Sequence, residues 1–255
     1  MEILELDILA ILMVLSFTAG FVDAVAGGGG AIMLPALLTA GLPPHLALGT
    51  NKLSATFGST TAAFTYVKRG LFRPVLWKAG MVGTFVGACT GTLATFLFSG
   101  EEMNKLLPSL IIAAAVWLLL QRNHSRIENP TRYRPALRSS GGLGGALGFY
   151  DGFFGPGTGS FWTTLVMSLY PVGIVEASGV ARFMNWISNA VSLLTFMALG
   201  SVHFGVGIPL GITLMMGAWL GAHSAIRFGG KFIRPILVLV TLALAGRLIW
   251  VEWLS

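Results

Sequence analysis

The sequence predicts an all-α polytopic membrane protein with about eight transmembrane helices, possible short broken or re-entrant helices, and two inverted homologous halves. Hydrophobic residues make up 55% of the 255 residues and charged residues only 10%, whereas about a quarter of a soluble domain is charged. Several charge-free runs approach the roughly 20 residues that span a hydrocarbon core as a helix. The longest lie at 79–100, 152–175 and 183–202, and shorter ones lie at 8–22, 53–67, 106–120 and 235–246.

An internal repeat predicts the two halves. The motif G-F-x-D-x-x-x-G-x-G occurs at 20–29 and again at 148–157. Later matches keep the same order, because Asn51-Lys52 falls opposite Ala181-Arg182 and Gly83-x-x-x-Gly87 falls opposite Gly217-x-x-x-Gly221. We therefore expect a first transmembrane repeat at 1–121, a basic linker at 122–138 and a second transmembrane repeat at 139–255.

The loop charges predict that the halves are inverted. The linker contains five arginines and one acidic residue, Glu128, so the positive-inside rule places it in the cytoplasm. In the first half the loop near Lys68 is basic and the loop near Glu101 is acidic. In the second half the matching loops exchange character, since 200–204 has no Lys or Arg and the loop near Lys231 is basic. We expect a bacterial inner-membrane protein with both termini outside the cytoplasm.

Four ionisable residues interrupt the apolar segments at repeat-matched positions: Asp23, Lys52, Asp151 and Arg182. A charge at the centre of a spanning helix costs about 2.5–3.5 kcal/mol, so such charges face a cavity or a partner. Inverted repeats with glycine-interrupted segments are typical of secondary transporters, whose sites lie between the repeats. We predict that Lys52 and Arg182 attract an anionic substrate. Asp23 and Asp151 would be counter-ions or proton carriers, and the alternative is two structural ion pairs, Asp23–Lys52 and Asp151–Arg182.

Neutral groups extend the predicted substrate site. Asn185 and Asn189 lie on one helix face with Arg182, and glycine-rich breaks bring helix N-termini and their N–H groups close to an anion. Amides also hydrogen-bond between helices, which is the alternative interpretation. For Gly83, Gly87, Gly91, Gly217 and Gly221 we favour a role in close helix packing. The further substrate-binding candidates are Asn51, Asn185, Asn189, Gly28, Gly29, Gly30, Gly157 and Thr158.

Other classes of function lack their residue patterns. The four histidines form no H-x-x-x-H or H-E-x-x-H motif, and no Walker-type phosphate loop is present, so we predict neither a metal site nor a cofactor. The basic residues cluster at the ends of apolar runs, which indicates membrane topology rather than nucleic-acid binding. The expected partners are a small anion and the lipid bilayer, and a homo-oligomer stays open.

The motifs at 20–30 and 148–160, with Pro-Ala-Leu-Leu at 35–38 and Gly-Thr-Asn-Lys-Leu at 49–53, resemble those of the TauE/SafE family of sulfite exporters, also called toluenesulfonate-uptake permeases. The resemblance implies a membrane transporter for a sulfur-containing anion such as sulfite or an organosulfonate, possible proton coupling, and no enzymatic activity. An anion channel and a membrane-embedded enzyme are the alternatives. The second half departs from a strict copy of the first at Pro156 and at Ala181-Arg182, which leaves the substrate open.

Overall fold

A computed structural model describes residues 6–120, 137–233 and 235–236 of the chain, and all regular structure in these ranges is helical. Seven helices have 17–25 residues, and α2 and α7 have 11 and 12. In chain order the helices are α1 (Leu6–Ala26), α2 (Gly29–Thr39), α3 (Pro44–Lys68), α4 (Lys78–Thr95), α5 (Gly100–Leu120), α6 (Leu137–Phe153), α7 (Thr158–Leu169), α8 (Ile174–Ala198) and α9 (Phe204–Phe228), with a short 3₁₀ helix at Pro74–Trp77 before α4.

The predicted all-helical class is confirmed, the predicted helix count is not confirmed, and one predicted helical run differs from the structure. The count of eight long helices is not confirmed, because the described residues contain seven and the run at 235–246 lies almost wholly beyond them. The apolar run at 152–175 is not one helix. Gly155 and Gly157 adopt φ values of +100° and +83°, which a helix cannot contain, so this run is divided among the end of α6, α7 and the start of α8.

Membrane crossing by length and apolar composition is clear for a few helices. Of the described helices, α1 and α9 each meet the requirement alone, and Pro74–Thr95 meets it together with Gly100–Leu107 across a bend of 119°. Helices α3 and α8 have 25 residues each but carry many polar groups. Many of their polar residues, including Lys52 and Arg182, are buried, so these helices keep much of their polarity away from the protein surface.

Large apolar side chains are exposed on the outer surface, and polar side chains are buried in the interior. On α4, Val82, Phe85 and Leu93 are exposed, and on α9 so are Met216 and Trp219. Several charged and hydroxyl side chains are instead fully buried. This distribution is the reverse of that in a water-soluble protein and suits an exterior covered by lipid.

Equivalent helices in the two sequence halves end in the same way. After α3, Gly70 has φ +71° and after α8, Gly200 has φ +68°. Gly70 N–H donates to Val67 O and the next N–H to Tyr66 O, and the residues 130 positions later repeat both bonds. A left-handed glycine with these two bonds is the Schellman C-cap, which stops both central helices at the same length.

Glycines allow α1 to pack closely on α9 and α4 on α6. A Cβ on Gly20 would overlap the carbonyl oxygen of Leu214, and a Cβ on Gly217 would overlap that of Phe17. The packing role predicted for the small residues is therefore confirmed. Gly148 meets Thr84 O and Gly87 meets Gly145 O in the same manner.

These glycine contacts also give the register of the repeat. The contacts of Gly217 and Gly221 correspond to those of Gly87 and Gly91, so the predicted match of Gly217 with Gly83 is one helical turn out of register. The helices α3 and α8 pack on each other, α4 contacts α8 and α9 contacts α3. Such contacts are those that two equivalent halves would make, whereas the opposite orientation of the halves across a membrane stays a prediction.

Candidate functional site

The two helix breaks meet each other near the centre of the described structure. Gly27, at the α1–α2 break, lies so close to Gly159 and Ser160 of α7 that a Cβ would collide with their backbone. The Ser160 hydroxyl donates to Ala26 O at 2.6 Å. A Cβ on Gly30 would lie 3.5 Å from Cα of Pro156, which is ordinary van der Waals contact. Glycine at position 27 therefore lets the two interrupted helices touch through their main chains.

A cavity opens at this crossing. It is narrow and partly open, with about 20 Å³ in which the centre of a water-sized sphere fits. The lining comes from α1, α2, α3, α6, α7, α8 and α9 and their breaks, so it draws on both sequence halves. Its residues are Asp23, Gly27, Gly29, Gly30, Asn51, Lys52, Ala55, Asp151, Gly155, Gly159, Asn185, Asn189 and Leu214.

Lys52 and Asp151 form a buried ion pair inside the cavity wall. Nζ of Lys52 lies 2.7 Å from Oδ1 of Asp151 and also donates to the main-chain oxygen of Asp151 at 2.5 Å. The other carboxylate oxygen accepts a hydrogen bond from the Ser188 hydroxyl of α8. The pair joins α3 to α6, whereas the structural alternative in the sequence analysis paired Lys52 with Asp23. That pairing is wrong, because the contact crosses between the two halves.

Arg182 is the repeat-matched counterpart of Lys52, but its contacts differ. Its side chain is 1% exposed and Nη1 donates to the main-chain oxygen of Asp23. No carboxylate in the described part of the chain lies within ion-pair distance of the guanidinium. The predicted alternative pair of Asp151 with Arg182 is therefore also wrong, and Arg182 lies next to the α1–α2 break instead.

Asp23 caps a helix rather than pairing with a base. Its Oδ1 accepts a hydrogen bond at 3.1 Å from the N–H of Gly29, and Gly29 is the first residue of α2. A carboxylate at a helix N-terminus is favoured because it binds an otherwise unpaired N–H group and faces the positive end of the helix dipole. The sequence predicts that N–H groups at the start of α2 face an anionic ligand. The first of them, the Gly29 N–H, instead donates to the Asp23 side chain.

Three amides complete the polar lining. Asn51 and Asn185 are 4% and 6% exposed and line the cavity, and no described residue hydrogen-bonds to either side chain. Asn189 also lines the cavity, and its Nδ2 donates to the main-chain oxygen of Asn185 at 2.8 Å. Two buried amides therefore have donors and acceptors that face the cavity.

The structure brings together eight of the twelve predicted site residues. Those that line the cavity are Asp23, Gly29, Gly30, Asn51, Lys52, Asp151, Asn185 and Asn189. Arg182, Gly28, Gly157 and Thr158 do not line it. Thr158 closes the α6–α7 turn, since its N–H and its hydroxyl both donate to Gly155 O.

Sequence reasoning missed several neighbours of the site. Gly27 and Gly155 are motif glycines with positive φ, so the repeat itself could have identified them. Ala55 lies 130 positions before Asn185, which the corrected register now reveals. Gly159 belongs to the motif at 148–160, whereas Ser188 and Leu214 carry no distinctive signal in one sequence. Metal binding has no support in the described part of the chain, where no group of three His, Cys, Asp or Glu side chains could hold an ion.

Similar proteins cover nearly the whole chain. The probable membrane transporter protein ORF9 of a Sinorhizobium species is 38% identical, over 98% of this chain and 95% of its own length. Escherichia coli strain K12 has the probable membrane transporter protein YfcA, 33% identical over 95% of this chain and 90% of its own. A probable membrane transporter protein of Haemophilus influenzae is 36% identical over 96% of both chains. No solved structure matches.

The sequence model described as sulfite exporter TauE/SafE matches residues 12–248. This match covers both helix breaks and every residue of the cavity. The resemblance found in the sequence motifs is thereby confirmed, and the chain belongs to the TauE/SafE family of membrane transporters.

Proposed function

We propose that this protein is a secondary transporter that moves a small sulfur-containing anion, such as sulfite or an organosulfonate, across the plasma membrane. The cavity at the crossing of the two broken helices carries this proposal. Broken helices that meet between two halves form the binding sites of many secondary transporters. The family described as sulfite exporters supplies the substrate class.

The unpartnered amides suit an oxyanion. Asn51 and Asn185 reach the cavity from α3 and α8, the two helices that pack on each other at its centre. An amide N–H group that donates to a charged oxygen contributes about 1.5–3 kcal/mol. Lys52 contributes little net charge to this surface, because Asp151 balances it.

We expect substrate exchange to depend on these amides. Asn185→Ala should reduce counterflow of labelled sulfite into proteoliposomes by about ten-fold or more, since one charge-assisted hydrogen bond is lost. Asn104→Ala is the matched control, because Asn104 is exposed on α5. Counterflow also separates a carrier from a channel, because only a carrier exchanges labelled for unlabelled substrate. Equal counterflow in the two variants would argue against the cavity as the binding site, and no counterflow in the unmodified protein would argue against a carrier.

We further propose that transport is proton-coupled and that Asp23 carries the proton. Asp151 has both oxygens occupied by Lys52 and Ser188, whereas Asp23 accepts one hydrogen bond from Gly29 and lines the cavity. The charged groups that influence Asp23 are Arg182, Asp151 and Lys52. The four site charges sum to zero, so a monovalent anion that enters with one proton on Asp23 leaves the cavity neutral.

Neutralising Asp23 should uncouple transport. We expect Asp23→Asn to retain counterflow of labelled sulfite but to lose the accumulation that a pH gradient drives in proteoliposomes. Asp7→Asn, an exposed position on the same helix, should accumulate sulfite as the unmodified protein does. Gradient-driven accumulation that persists in Asp23→Asn would assign the proton to another group.

We also propose the topology that the loop charges predict, in the bacterial inner membrane with linker 122–138 in the cytoplasm. In a Cys89→Ser background, Glu101→Cys should react with an impermeant thiol reagent in intact cells, whereas Arg126→Cys should react only after permeabilisation. Cys89 is the single native cysteine, so its removal leaves each introduced thiol as the only target. Labelling of Arg126→Cys in intact cells would reverse the proposed orientation.

A further inference from the structure

The guanidinium of Arg182 has one complete edge without an acceptor. Its Nη1 donates to the main-chain oxygen of Asp23, but Nε and Nη2 are buried and donate to none of the described residues. These two nitrogens point their N–H bonds in the same direction, along one edge of the planar group. Buried donors are almost always hydrogen-bonded, so an unmatched pair on a charged group calls for a specific acceptor.

Lys52, at the position equivalent to Arg182, has acceptors for its hydrogen bonds and a carboxylate for its charge. Its ammonium donates both to the carboxylate and to the main-chain oxygen of Asp151, so charge and hydrogen bonds are balanced. Arg182 donates a hydrogen bond to the main-chain oxygen of Asp23 but has no carboxylate among the described residues within ion-pair distance. The difference between two repeat-matched bases therefore leaves a guanidinium beside the cavity that, within the described ranges, has two unmatched donors and no carboxylate within ion-pair distance.

Gly159 lies between the Arg182 guanidinium and the cavity. Gly159 lines the cavity, and a Cβ on Gly159 would lie 2.7 Å from Nη1 and 3.1 Å from Nη2 of Arg182. The backbone of Gly27, the other cavity glycine at this point, lies directly against Gly159. A small separation of the α1–α2 break from the start of α7 would thus expose the guanidinium to a molecule in the cavity.

We propose that the Nε–Nη2 edge of Arg182 binds two oxygens of the transported oxyanion, which reaches it from the cavity past Gly159. This inference rests on the proposed function and names the ligand of that site. A guanidinium edge donates two parallel hydrogen bonds to two oxygens on one atom, as in sulfite, a sulfonate or a carboxylate. A halide is a single atom and cannot supply two oxygens to the two donors of this edge. The Arg182→Lys variant would keep the positive charge but lose the pair of parallel N–H donors.

The test compares oxyanions with a halide on purified protein in detergent. Binding of ligand to the folded state raises the unfolding temperature, so apparent affinities can be taken from titrations with sulfite, methanesulfonate, acetate and chloride. In the unmodified protein we expect sulfite or methanesulfonate to bind at least ten-fold more tightly than chloride. Arg182→Lys should weaken oxyanion binding by ten-fold or more and reduce its advantage over chloride. Arg227→Lys, at an exposed position on α9, should bind as the unmodified protein does.

The outcomes separate this inference from the proposed function. Oxyanion binding of unmodified affinity in Arg182→Lys would overturn the role of the guanidinium edge and leave the transport proposal standing. Absence of binding by any of the three oxyanions in the unmodified protein would overturn both. If Arg182→Lys does not accumulate in the membrane, the unmodified protein still decides, because chloride that binds as tightly as methanesulfonate contradicts a two-oxygen site.

Discussion

The ion pair between Lys52 and Asp151 is the contact on which the rest of the site depends. In a low-dielectric interior, a single buried charge without its partner costs several kcal/mol, whereas a hydrogen-bonded pair is tolerated. Lys52 belongs to α3 and Asp151 to α6, and Ser188 of α8 holds the second carboxylate oxygen. One pair of charges therefore fixes three helices at the position where α6 breaks. This fixed point holds the α6–α7 break next to α3 and α8, whose Asn51 and Asn185 line the cavity.

The two sequence halves agree in their framework and differ at the site. The equal lengths of α3 and α8, their Schellman caps and the glycine contacts repeat with offsets of 128 or 130 residues. The site charges stand at matched positions but their contacts do not repeat, since Asp151 pairs with Lys52 and Asp23 caps α2. Asn51 and Asn185 likewise stand opposite alanines at 181 and 55. Packing constrains the framework in both halves equally, whereas one substrate needs one set of ligands, so the asymmetry concentrates where a ligand would bind.

Much of the site could be predicted from the sequence, because buried charges in apolar segments are energetically costly and therefore stand out. Asp23, Lys52 and Asp151 were predicted from the cost of charge in apolar segments, and glycine-rich motifs predicted where α1 and α6 end. The pairing of Lys52 with Asp151 could not be predicted, because the distance between two residues along the sequence does not show whether their helices pack against each other. Ala55 was not found, since a small apolar residue carries no chemical signature. The division of the apolar run at 152–175 could not be predicted from composition, because composition does not reveal the positive φ of Gly155.

Pairing across the halves is tested most directly by rescue of a destabilised Lys52 variant. Lys52→Met leaves the Asp151 carboxylate buried without its partner and should lower the unfolding temperature in detergent, since breaking a buried pair costs about 3–5 kcal/mol. The structure predicts that adding Asp151→Asn recovers most of this loss and that adding Asp23→Asn does not. Recovery with Asp23→Asn, or effects of Lys52→Met and Asp151→Asn that simply add, would contradict the pairing on which this account of the cavity depends.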